Sequence, residues 1–342
     1  SVAFPSAVLH GTSFEISGSG FDASCGELTV FFRGDFSGRA VTAEAMADVV
    51  STAEVRYVAG PELLGGLGGG GRFVGEVGVR RRAVAGNSRE SAVPIAFDVT
   101  DHLVPSATGV TPADVTLNAI VVVSGEGFLE GAEGTCEAVL DGTFRADAGG
   151  TASVAGVRVA AAPLETHDRT RTTFPFAPTI AGILPGTFTG TVTIENRHGD
   201  GYVMVSAPLS ATFSLGPSFV TDIAPRNPTI GAIVLITGAG FIGGAADQTL
   251  TIRLDGTATP HGGSPAAVTG LELVPAFLDG GRAAYTLVPV RQGDVLVAED
   301  FDFSWGTFSG TATPVLRYGV ELTEGLPTTI GIDIGPTKQV VF

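Results

Sequence analysis

Across its 342 residues the chain is 44% hydrophobic and only 16% charged, with 49 glycines and 20 prolines. Such a length suggests roughly two or three domains, and the apolar content excludes a disordered tail, while the glycines follow no collagen triplet. Its 35 acids against 19 bases leave a formal charge of −16 and a single lysine, Lys338, which argues against nucleic acid and anionic membranes as partners. No apolar run reaches ~18 residues, so no membrane span is expected.

The chain begins at Ser1 rather than Met, as a processed or trimmed product would, with a signal peptide already removed. In the first third, Pro5 and the turn former Gly11 precede a short strand, Phe14-Glu15-Ile16, that runs into Ser17-Gly-Ser-Gly-Phe21. Leu28/Val30/Phe32 alternate as a second strand, and Arg33-Gly34 reads as its turn. Thr42 to Val50 is the one helix-like stretch, and Gly66 to Gly71 reads as a flexible loop. Phe73-x-Gly75 and a last strand, Ala96-Phe97-Asp98-Val99, complete this portion.

The same order then repeats. Pro112, Asn118, Val121-Val122-Val123 and Ser124-Gly-Glu-Gly-Phe128 are followed by Ala138/Leu140, Asp141-Gly142, Phe188-x-Gly190 and Thr212-Phe213-Ser214-Leu215. Pro225, Gly231, Val234-Leu235-Ile236 and Thr237-Gly-Ala-Gly-Phe241 lead to Leu250/Ile252/Leu254, Asp255-Gly256, Phe308-x-Gly310 and Gly331-Ile332-Asp333-Ile334. The motif phenylalanines lie 107 and 113 positions apart, close to a third of the chain. Each has a proline 16 positions and a turn former 10 positions before it. Features at matched phase mean internal repeats, so three tandem domains are expected, at 1–107, 108–219 and 220–342. Period-two alternation with Gly/Pro punctuation makes them all-β, and units of ~110 residues with about seven to nine strands imply two-sheet sandwiches.

Val220-Thr-Asp-Ile-Ala-Pro225 followed by Gly231-Ala-Ile-Val-Leu-Ile-Thr-Gly-Ala-Gly-Phe241 resembles the opening of IPT/TIG domains, the immunoglobulin-like sandwiches of plexins, Rel-type transcription factors and many bacterial surface proteins. The resemblance covers the first quarter of each unit and is closest in the third. It implies the fold, with longer loops or extra strands, and says little about function. Within the motif, Gly18 and Gly20, Gly125 and Gly127, Gly238 and Gly240 are expected to let the chain bend or take φ > 0. Phe21, Phe128 and Phe241 then drop into the core.

Several motifs invite chemistry and reduce to structure. Gly238, Gly240 and Gly243 spell a dinucleotide fingerprint, but that chemistry needs a following helix, and here another strand, Thr249 to Leu254, comes next. Arg33-Gly34-Asp35 is an integrin-type tripeptide placed where a hairpin tip is expected. His10, His102, His167, His198 and His261 share no repeat position, and no Ser/His/Asp set stands out. Glu299/Asp300/Asp302 and Asp98/Asp101 match no Ca²⁺ loop and read as solvated surface. Cys25 and Cys136 fall in different domains and read as unpaired small hydrophobes, though an inter-domain or inter-subunit bond stays open. One tryptophan, Trp305, and four tyrosines weaken a carbohydrate-binding reading. No catalytic residue, cofactor or metal is expected.

Two features point further. Mean hydropathy of +0.35 is high for a charge-poor soluble chain, which suggests a partner surface. The ends are also in repeat phase: Ser1-Val-Ala-Phe-Pro5 aligns with Thr221 to Pro225, and Gly335 to Phe342 with Gly216 to Ile223. Gln339, Val340, Val341 and Phe342 are therefore expected to dock near Val2 and Phe4 of another copy, a head-to-tail contact that builds open fibres. The expectation is an extracellular structural or adhesive protein, a surface-filament subunit. The alternative is a glycan- or protein-binding module from a larger surface protein.

Overall fold

Alternating side chains dictate extended structure almost everywhere, and the computed structural model is correspondingly built of strands. It describes residues 7–9, 13–22, 27–58, 70–82, 87–131, 133–164, 169–229, 231–287, 291–292, 295–296 and 306–335. The first stretch holds β1 (Ala7–Leu9), β2 (Ser13–Ser17), β3 (Glu27–Phe36), β4 (Arg39–Met46), β5 (Asp48–Ser51), β6 (Glu54–Val58), β7 (Gly71–Arg82) and β8 (Ser88–Thr100). They form one sheet in the order β1-β8-β7-β3-β4 and a second in the order β2-β6-β5. Phe32 and Phe73 of the larger sheet meet edge-on at 5.7 Å, and Tyr57 of the smaller sheet packs 5.5 Å from Phe32, so aromatic rings fill the space between the layers.

The second stretch comprises β9 (Ser106–Thr111), β10 (Asp114–Val115), β11 (Ile120–Glu126), β12 (Gly134–Ala146), β13 (Thr151–Pro163), β14 (Arg171–Pro175), the one-turn α1 (Pro178–Ala181), β15 (Gly186–His198), β16 (Val203–Val205) and β17 (Leu209–Leu215). The strands run β10-β17-β15-β12-β13-β14-β11-β9, with β16 on the flank of β15. The path closes over itself at β13, which pairs with β12 up to Ala161 and with β14 at Ala162 and Pro163. The third stretch contains β18 (Phe219–Ala224), β19 (Ile233–Ala239), β20 (Gln248–Pro260), β21 (Ala266–Leu273), β22 (Ala276–Asp279), β23 (Arg282–Thr286), β24 (Arg291–Gln292), β25 (Val295–Leu296), β26 (Gly306–Tyr318), β27 (Glu321–Glu324) and β28 (Thr328–Ile334). Its main sheets are β18-β19-β23-β22 and β21-β20-β26-β27, with β28 also on β26.

The architecture is thus all-β and immunoglobulin-like, and its registers repeat. The segment following the repeat proline runs parallel to the end of the same stretch, as a strand pair at Ala7/Asp98 and Asp114/Ser214 and as an isolated bridge at Thr229/Gly335. Among the described residues no helix is long and apolar enough to cross a membrane.

Three sequence expectations are corrected. Thr42 to Val50 is not helical but falls in β4 and β5, because Ala43, Ala45, Ala47 and Val49 alternate half-buried with exposed Thr42, Glu44, Met46 and Asp48. That period of two serves a sheet and would scatter around a helix. Gly34, Gly142 and Gly256 are not turns. Each sits inside a long strand and faces a second glycine across the ladder, Gly75, Gly190 and Gly310 in turn. Consequently Arg33-Gly34-Asp35 is no hairpin tip, since the turn lies beyond it at Ser37 and Gly38. Arg33 is instead engaged along the sheet by Glu76 at 3.3 Å and Glu90 at 3.0 Å.

Candidate functional site

The Gly-x-Gly-Phe segments fold alike in all three copies. A Cβ on the first glycine would lie 2.6, 2.8 and 2.5 Å from the ring Cζ of Phe21, Phe128 and Phe241, so the bare position is what lets each ring lie over the strand. The second glycine is left-handed in every copy, with φ of +76° at Gly20, +72° at Gly127 and +76° at Gly240. The flanking amides are held identically. Gly18, Gly125 and Gly238 donate to Ala53, Thr170 and Gly281 carbonyls at 2.8 Å each, and Phe21, Phe128 and Phe241 to the Thr52, Arg169 and Gly280 carbonyls at 3.0, 3.3 and 2.9 Å. All three rings are buried. In the second copy the turn is anchored further by Arg169, itself buried, whose guanidinium binds Glu133 at 2.6 Å.

At the junction between the second and third stretches, Asn118 adopts φ +59° and its Nδ2 donates to the Phe241 carbonyl at 2.8 Å. Gly280 approaches so closely that a Cβ there would lie 2.7 Å from the Asn118 Cβ. Just beyond α1, the Ile183 amide donates to Glu321 Oε2 at 3.2 Å. Buried apolar residues of both stretches form one continuous cluster that runs to Ile334 and takes in Leu9 of the first stretch.

The junction between the first and second stretches is built differently. Leu103 is wholly buried, and its carbonyl accepts from Asn196 Nδ2 at 3.0 Å. Asn196, also fully buried, donates to the Gly127 carbonyl at 2.7 Å and accepts from the Leu129 amide at 3.3 Å, which locks the connecting segment onto the motif turn. Beside it, His102 Nε2 lies 2.7 Å from Asp200 Oδ2. The His102 ring is edge-on to His198 at 4.9 Å and 4.4 Å from the Tyr202 ring, with 39° between the latter planes. Asp200 and Tyr202 lie in the connection between β15 and β16, whose amide at Tyr202 donates to Asp200 Oδ1 at 3.1 Å. The hydrogen bond from His102, then that from the Tyr202 amide, holds the Asp200 carboxyl below the usual aspartate range. Tyr202 remains 60% exposed.

This cluster escapes a sequence reading because His102 and His198 share no repeat position and lie far apart in the chain. The remaining candidates are dispersed. Cys136 carries a free, buried thiol that burial pushes up to about 11, too high for a nucleophile at neutral pH. Asp98 pairs with Arg72 at 3.3 Å, and no group of three potential metal ligands occurs among the described residues. Val2, Phe4, Cys25, Trp305, Glu299, Asp300, Asp302 and Gln339 to Phe342 lie outside the described residues. Open clefts occur among the described residues. One of about 490 Å³ lies beside Phe21, Val77 and Val93, and one of about 480 Å³ is lined by His261, Thr307 and Asp333. Neither gathers a catalytic set.

No protein-family model matches the chain, and no curated protein matches it. Among solved structures it is similar to SGBP-B of the Bacteroides ovatus mixed-linkage glucan utilization locus, solved with a mixed-linkage heptasaccharide, at 12% identity over 97% of this chain and 66% of that one, TM-score 0.24. It is also similar to the FN1–FN3 domains of chicken CNTN1 (11% identity, 96% of this chain, 98% of that one, TM-score 0.22). The ICAM-5 D1–D4 ectodomain fragment matches at 14% identity over 98% and 75% of the two chains, TM-score 0.20. The chain spans just under two thirds of the SGBP-B structure. With similarity this low, the strand registers carry the fold assignment.

Proposed function

We propose that the chain is a non-enzymatic extracellular protein of structural or adhesive role, a tandem array of IPT/TIG-like domains at 1–107, 108–219 and 220–342. In this reading copies join head to tail, with Gln339 to Phe342 of one copy docking beside Val2 and Phe4 of the next. The observation that supports it is the second junction, where Asn118 donates to the Phe241 carbonyl and Glu321 accepts from the Ile183 amide, the kind of contact that a neighbouring copy would repeat. A repeated end-to-end contact is heterologous and propagates without closing. Negative-stain microscopy of the protein with and without residues 336–342 tests it: filaments or chains of particles are expected only with the tail, and isolated particles from the full chain end the self-assembly reading.

A second reading, a surface module that binds glycan or protein, is favoured by the exposed ring of Tyr202, packed against His102, which Asp200 in turn holds. Binding of the isolated protein to a glycan array, with no requirement for assembly, separates it from the first.

A further inference from the structure

We infer that the Tyr202–His102–Asp200 cluster is a binding platform for a neutral sugar ring; the inference rests on the binding-module reading. The imidazole of His102 supports the Tyr202 ring at 4.4 Å, yet 60% of the residue stays open to solvent. An isolated tyrosine on a hairpin would turn freely, whereas this one is pinned by a neighbour that is itself fixed by Asp200 at 2.7 Å and by His198 at 4.9 Å. A fixed, open aromatic face loses little side-chain freedom on binding, and its negative quadrupole attracts the C–H groups on the flat side of a pyranose.

The polar groups fit the same ligand. Asp200 is half-exposed and held ionised by its hydrogen bonds, so its carboxylate presents acceptor sites to neighbouring hydroxyls. Val104 and Val203, 62% and 38% exposed, extend the two contributing segments with apolar surface rather than charge. Phosphorylated, sulfated or uronic acid ligands are disfavoured by Asp200, by exposed Asp101 and by a chain that carries −16 overall. A quaternary ammonium wants a cage of several aromatic faces, and here a single phenol is open while both other rings are imidazoles.

Saturation-transfer NMR with cellohexaose, xylohexaose and mannohexaose, on the full chain, is the test. At least one hexasaccharide should receive saturation, strongest on ring C–H protons. Tyr202→Ala should weaken binding by about tenfold or more, which is the loss of one well-placed contact, Tyr202→Trp should preserve it, and Asp200→Asn should fall between them. Both positions are exposed, and circular dichroism melting of each variant verifies folding. Binding by the parent chain that Tyr202→Ala leaves unchanged overturns this site while the module reading stands. Silence with all three sugars, or saturation of tetramethylammonium in their place, overturns the sugar assignment itself.

Discussion

Gly142 and Gly190 face each other across β12 and β15, and neither can carry a side chain: a Cβ on Gly142 would lie 2.7 Å from the Gly190 Cα, and one on Gly190 would lie 2.7 Å from the Gly142 Cα and 2.8 Å from the Phe188 ring. The same pairing occurs at Gly34/Gly75 and Gly256/Gly310, each time with the phenylalanine two residues earlier lying over the second glycine. In the second and third copies the bulge beside it is latched as well, by Asp141 accepting from the Gly156 amide and Asp255 from the Gly270 amide, both at 2.7 Å. Replacing Gly190 with alanine forces apart two backbones rather than two side chains. We expect Gly190→Ala to cost about 3 kcal/mol and lower the melting midpoint of its sandwich by on the order of 10 °C. Gly109→Ala, with nothing within 4 Å of its Cβ, is the control and should melt like the parent. Equal melting of the two variants in calorimetry would remove this account.

The glycine pairs also show what a sequence hides. Phase and composition alone placed Gly34, Gly142 and Gly256 correctly within the repeat, but an isolated glycine before or after aspartate looks like a turn. The signal that decides otherwise is the partner Phe-x-Gly far downstream, and only pairing reveals it. Thr42 to Val50 misleads for a related reason: alanine favours helix intrinsically, and sheet packing of Ala43, Ala45 and Ala47 against the first core overrides that preference. Phe31 breaks strict alternation because a second, outer layer buries it: Arg33 and Arg80 cover its ring at 4.3 and 5.2 Å, and Gly78 leaves room beneath. The His102 cluster is illegible because His102, between β8 and β9, lies far along the chain from His198, Asp200 and Tyr202 at the end of β15 and in its connection to β16.

The second motif glycine offers a graded test. Gly20 and Gly127 share a left-handed backbone, which costs an alanine roughly 1–2 kcal/mol. A Cβ at Gly20 meets open space, whereas one at Gly127 would sit 2.7 Å from the Val104 carbonyl. Gly20→Ala should therefore show only the conformational penalty, and Gly127→Ala should exceed it by about 1–2 kcal/mol in denaturant unfolding. Equal losses at the two positions would mean that the close approach to Val104 is not tight in solution.

Rigidity of the second junction depends on few polar contacts over a shared apolar seam. Asn118→Ala removes the donor to the Phe241 carbonyl and also places a β-carbon residue at φ +59°, so Asn118→Gly is the cleaner variant because it keeps the backbone relaxed. Combined with Glu321→Ala, which removes the acceptor of the Ile183 amide, it should loosen the junction by about 1–2 kcal/mol in total without unfolding either sandwich. Small-angle scattering should then show a broader distribution of lengths, with cleavage by protease appearing near Gly216 to Ser218. An unchanged scattering profile would assign the stiffness to the apolar seam alone.

Cys136 supplies a prediction whose sign follows from burial. Its thiol ionises at about 11 in the folded chain, against about 8.5 when unfolded. Between those values the folded state holds a proton that the unfolded chain has released, so the contribution of this residue to stability falls as pH rises through that window. The loss approaches roughly 3 kcal/mol near the upper end. The measurement is urea unfolding from pH 7.5 to pH 10.5 in a Cys25→Ser background, comparing Cys136 with Cys136→Ala. Tyr285, whose hydroxyl burial also pushes up, contributes to both proteins and cancels in the difference. The gap between the two stability curves should close by about 2 kcal/mol by pH 10.5. A gap that stays constant would show that the Cys136 thiol is more hydrated than its surroundings of Thr172 and Leu129 allow.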